Sequence, residues 1–105
     1  MFEVVGNRLR PTKDVEVGGY GREDVLVYKG APVAFSAIER RLREMGVNVK
    51  LRNDNGVLVV EGEADMGKVV KVIEEILLSA ERDLLEFERI VNEAIRSYMR
   101  KLSMN

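Results

Sequence analysis

The residues of this chain best equipped for chemistry are basic. Between residues 33 and 56, Arg40, Arg41, Arg43, Lys50 and Arg52 outnumber Glu39, Glu44 and Asp54. Cationic side chains gathered in this way hold phosphate oxygens. Arg40, Arg43, Lys50 and Arg52 are therefore the candidate nucleic-acid contacts, with Tyr20 as a ring on which a base would stack. The competing reading is a solvated helix face whose arginines pair with Glu39 and Glu44. It is favoured, because the chain lacks both a global positive excess and a pair of stacking aromatics.

Three other groupings bear on chemistry. Gly18-Gly19-Tyr20-Gly21-Arg22 would let a backbone approach a phosphate, with Arg22 as a clamp. No helix opens directly after it, and it matches no phosphate-loop pattern, so a loop between strands is expected. Lys29-Gly30-Ala31-Pro32-Val33 reads as a strand feeding a helix N-terminus, a place that attracts anions but usually holds water. Glu61, Glu63 and Asp65 alternate, as carboxylates converging on Mg²⁺ would. The expectation is instead two solvated glutamates and an Asp65 N-cap. No metal or cofactor is assigned.

Catalysis lacks its usual agents. Ser36 has no histidine to activate it, since the chain contains neither histidine nor cysteine. The same absence removes disulfides, thiolates and ordinary zinc sites. Seventeen basic against eighteen acidic residues give a net charge of −1, which advertises no membrane or nucleic-acid partner. Hydrophobic residues make up 46% of the 105, enough to exclude a disordered chain and to fill one domain, residues 1–105. No stretch approaches the roughly 20 apolar residues that span a bilayer. The first residues lack the basic-then-apolar pattern of a secretory signal, so a cytoplasmic location is expected. The absence of Gln and Cys, with abundant Glu, Arg and Val, fits a thermophile.

The elements that would position these groups begin with strands. Phe2–Val5, Val15–Val17 and Asp24–Tyr28 read as strands, divided by Gly6-Asn7, Pro11 and the glycine-rich loop. A helix is expected from Pro32 to Met45, with proline at its first position and Gly46 ending it. Val33, Ala34, Ala37, Ile38, Leu42 and Met45 form its buried stripe. The strand, the Lys29-Gly30 pair and the Pro32-Val33 helix start together resemble Alba-type archaeal chromatin proteins over a short stretch. A hairpin then stands where that family's second helix would come, and two closing strands are missing, so no function is carried across. That hairpin runs from Val47 to Gly62 around Asn53-Asp54-Asn55-Gly56, pairing Leu51 with Leu58 and Val49 with Val60.

From Met66 to Leu102 there is no proline and one glycine, Gly67. Val70, Leu77, Leu84, Val91 and Tyr98 recur every seven residues, as do Met66, Ile73, Ala80, Phe87 and Ala94. A straight helix of this span would be about 55 Å long at about 1.5 Å per residue. A compact domain of this size has a radius of gyration of only about 13 Å. Either the helix breaks near Ser79-Ala80-Glu81 and folds back, or its far half, residues 81–102, packs on another chain.

These readings converge on an α+β fold, β-β-β-α-β-β-α(α), with a small, mostly antiparallel sheet, one crossing helix and a long C-terminal helical segment. The expected function is a non-enzymatic binding or assembly module acting as a homodimer. Leu84, Phe87, Val91, Ala94 and Tyr98 form its contact ridge. A nucleic-acid-binding domain is the second reading, and a subunit of a complex with a different protein is the third.

Overall fold

A computed structural model of the chain describes residues 1–103, apart from the Tyr20 side chain, so the proposed stacking role of Tyr20 lies outside the described residues. The fold is α+β. Strands β1 (Phe2–Val5), β2 (Arg8–Pro11), β3 (Val15–Tyr20), β4 (Glu23–Tyr28) and β5 (Ala31–Ala34) precede helix α1 (Phe35–Glu44). Strands β6 (Lys50–Asp54) and β7 (Val57–Glu61) then lead into helix α2 (Met66–Ser103). Five strands therefore precede the first helix, where three were expected, and they divide between two sheets. One sheet has the order β1-β2-β7-β6 and the other β3-β4-β5, with every pairing antiparallel.

The differences from the expected element string arise at turns. Lys29 and Gly30 both have positive φ, 49° and 85°. That is the backbone of a two-residue type I′ hairpin, whose twist matches the flanking strands. The chain therefore doubles back along β4, with Val33 opposite Leu26 and Pro32 opposite Val27, instead of entering a helix. Proline is tolerated because β5 is an edge strand with no outer neighbour to receive its missing N–H. The short likeness to Alba-type proteins rested on a helix start at Pro32-Val33 and does not survive this hairpin. Likewise Gly18, Gly19 and Tyr20 belong to β3, and only Gly21-Arg22 form the turn. Asn55 and Gly56 repeat the positive-φ pair, which closes the second hairpin by two residues and shifts its register. Leu51 lies opposite Val60 and Asn53 opposite Leu58. A shift of two leaves each side chain on the face expected of it.

Helix α1 begins without a side-chain cap, because β5 runs directly into it. It ends in a Schellman turn, in which Gly46 N–H donates to Arg43 O and Val47 N–H to Leu42 O. Ile38 and Leu42 are wholly buried between the two sheets and α2. Glu39 reaches across to the edge strand β6, where its Oε2 accepts the Leu51 N–H at 2.7 Å. Asp65 caps α2 as expected, with Oδ1 accepting from the N–H groups of Gly67 and Lys68. One continuous core joins Leu9, Leu26, Ile38, Leu42, Leu58, Val60, Val69, Ile73 and Leu77.

Helix α2 does not break near Ser79; it runs unbroken through all 38 residues. The molecule is accordingly 64 Å long and 28 by 25 Å across, with a radius of gyration of 17.6 Å. A globular body carries a projecting helical arm.

Candidate interaction face

The last core residue of α2 is Leu77. Up to that point one face of the helix, through Val69, Val72, Ile73 and Leu77, lies against the strands of the second sheet. Beyond it the same face continues into solvent. Of the expected ridge, Leu84 is half-buried, Val91 is 37% exposed, and Phe87 and Tyr98 are each 63% exposed. Ala94 is also exposed. Residues three and four apart share a helix face, so these five side chains form one stripe.

Ile90, Ile95, Met99 and Leu102 flank the stripe and were not singled out by the sevenfold repeat. Three of them, Ile90, Ile95 and Leu102, occupy positions beside the seam where a two-stranded coiled coil usually carries charge. Their signal in the sequence was the same widening of the stripe that marks Val69 to Leu78. The opposite face is charged. Arg89 bonds to Glu86 one turn back and to Glu93 one turn on. Hydrogen bonding to Arg89 holds the Glu86 carboxyl below its ordinary pKa.

At the root of the arm, a groove runs between α2 and the β5–α1 region. Val33, Met45, Ile76 and Ala80 supply its apolar lining, and Glu75 and Asp83 its acidic lining. Arg41 also borders it, and is paired with Glu44 at 3.2 Å. Lys29 braces the root, with its ammonium 3.7 Å from Glu81 and 5.3 Å from the centre of the Tyr28 ring. Tyr28, and after it Glu81, holds that ammonium above its ordinary pKa.

The basic residues do not gather as one group. Arg40 and Arg43 are exposed on α1, which packs over the core. Lys50 and Arg52 project from the opposite face of their sheet, since their neighbours Val49 and Leu51 face the core. The register instead brings Arg8 and Arg10 of β2 onto the face that bears Lys50 and Arg52. The alternation Arg8-Leu9-Arg10 was the missed signal. Carboxylates answer part of this charge: Arg8 meets Asp54 at 2.9 Å and Arg52 meets Glu61 at 2.6 Å. Glu61 and Asp65 thus each have partners within the fold, and no three acidic side chains converge among the described residues. Ser36 donates to Glu23 at 2.8 Å. No described helix is long and apolar enough to cross a membrane.

No family model matches the chain, and no solved structure does. An uncharacterised protein of Archaeoglobus fulgidus is 36% identical over 94 residues, a match covering 85% of this chain and 77% of the relative. A match of that extent necessarily runs past Leu77 into the projecting arm. The chain therefore belongs to the same family as this archaeal protein, whose function is uncharacterised.

Proposed function

We propose that this protein is a non-enzymatic assembly module of the cytoplasm that works as a homodimer through the projecting half of α2. Leu84, Phe87, Val91, Ala94 and Tyr98 form the centre of the contact, flanked by Ile90, Ile95, Met99 and Leu102. One observation carries this reading: the face of α2 that builds the core up to Leu77 continues as an apolar stripe along an arm whose Phe87, Ile90, Ile95, Tyr98, Met99 and Leu102 are more than half exposed. Fully burying a large apolar side chain contributes about 1.5–3 kcal/mol. Leu84, Phe87, Val91 and Tyr98 from both copies make eight such side chains, and even with each already partly covered their burial is of the same order as the roughly 4–15 kcal/mol that association costs in lost freedom. An apolar face this long is seldom left in water by a monomer. Sedimentation equilibrium at micromolar concentration tests the reading; a dimer is expected, and a strict monomer rejects it. Purification from the native source, with a second protein co-eluting in place of the second copy, would favour the hetero-complex instead.

A second reading has its own observation, the sheet face that carries Arg8, Arg10, Lys50 and Arg52. Filter binding with mixed RNA and DNA at low and moderate salt tests it. Binding that weakens steeply with salt is expected of phosphate contacts, and its absence removes this reading.

A further inference from the structure

We propose that the two copies pair antiparallel, so that the last turns of each arm seat in the groove at the root of the other. This orientation rests on the dimeric reading above and goes beyond it. The first argument is charge. Glu81, Asp83, Glu86 and Glu88 crowd the near part of the arm and outnumber Arg82 and Arg89 there, with Lys29 of the body reaching Glu81. The far part carries Arg96, Arg100 and Lys101, and no acidic residue occurs from Ala94 to Ser103. Parallel pairing sets acidic against acidic and basic against basic. Antiparallel pairing brings each acidic half beside a basic half, twice per dimer.

The second argument is shape. In an antiparallel pair, the two alternating sets of seam residues pack against each other. With Phe87 beside the partner's Val91, Leu84 falls beside the partner's Ala94 and Ala80 beside the partner's Tyr98. Each layer then joins a larger side chain to a smaller one, as close packing requires. The same register lays residues 75–83, which supply the helical wall of the groove, alongside residues 95–103 of the other copy. The groove's apolar lining of Val33, Met45, Ile76 and Ala80 thereby receives the exposed Ile95, Tyr98, Met99 and Leu102. Its Glu75 and Asp83 receive the basic tip. The two bodies then stand at opposite ends of the dimer.

The chain contains no cysteine, so Ser103→Cys offers a single, exposed labelling position at the tip. Pulsed dipolar spectroscopy on the spin-labelled full chain reads the distance between the two tips. In the antiparallel register each tip lies beside residue 75 of its partner, 28 residues away, which predicts about 40 Å at about 1.5 Å per residue. A distance near 10 Å, the separation of adjacent helix axes, means parallel arms and overturns the proposal while leaving the dimer intact. No dipolar signal at a concentration where the dimeric reading requires pairing overturns both. The triple variant Arg96→Glu, Arg100→Glu, Lys101→Glu supplies an independent measurement. It should raise the dimer Kd about tenfold at low salt, and less at high salt. Undiminished pairing in that variant contradicts the antiparallel assignment.

Discussion

Residues 66–77 and residues 78–103 belong to one helix, with one period and one apolar face. The first stretch puts Val69, Ile73 and Leu77 wholly out of solvent, while the second leaves Phe87, Ile95, Tyr98 and Met99 more than half exposed. The difference is only that the body ends near Leu77 and the helix does not. Periodicity reports which face of a helix is to be covered and is silent on what covers it. In the first half the cover is the second sheet, and in the second half most of the same face is exposed.

Four experiments sharpen or break this comparison. Leu77→Ala removes a fully buried side chain and should cost the body about 3 kcal/mol, read as a lower urea midpoint with an unchanged slope. Leu85→Ala, on the arm but off the ridge and 56% exposed, should leave that midpoint where it is. Phe87→Asp should cost the association at least about 2 kcal/mol, seen as monomer in sedimentation at micromolar concentration. The strand signal in circular dichroism should remain; loss of the sheet would mean that the arm supports the body after all. Asp65→Ala, at the cap of the buried half, should cost about 1 kcal/mol of thermal or urea stability, because two N–H groups lose their acceptor.

The smallest effect is set by pH and belongs to the exposed half. Arg89 holds the Glu86 carboxyl below its ordinary value. An unfolded glutamate titrates near about 4.3. The pair's contribution is therefore complete above that pH and disappears as pH falls through the depressed folded value. Helical circular dichroism should accordingly stay level from neutrality to about pH 5 and decline below about pH 4. Glu86→Gln should remove part of that decline, and an identical acid profile in that variant would show that this pair plays no part.

Much of this architecture could be read from residue order alone. Asp65 announces the start of α2, Gly46 the end of α1, and the two sevenfold sets the buried face. These are local signals, in which a cap or a repeat acts within a turn or two of helix. The strands from 8 to 34 were harder, because what places them is a turn backbone. Lys29-Gly30 lacks the Asn-Gly or Asp-Gly form that betrays a type I′ hairpin, and Pro32 mimics a helix start. Asn55-Gly56 does have that form, but Asn53 and Asp54 before it are turn formers as well, and a four-residue loop displaces the register by two while preserving the faces. Of the site, Leu84, Phe87, Val91, Ala94 and Tyr98 were legible as one ridge. The basic group was not, because Arg8 and Arg10 join Lys50 and Arg52 only through strand pairings separated by some fifty residues of chain.

Residue order determined the α+β class, the apolar face of α2 and the polarity of charge along the arm, all properties of neighbours at short range along a chain. Tertiary structure alone decided where the body stops, that α2 continues straight past Ser79, and that a groove with apolar walls and an acidic lining lies at the root of the arm. Those outcomes depend on how much surface the two sheets and α1 offer to α2. That surface is made by residues distant in sequence, so no window along the chain contains it.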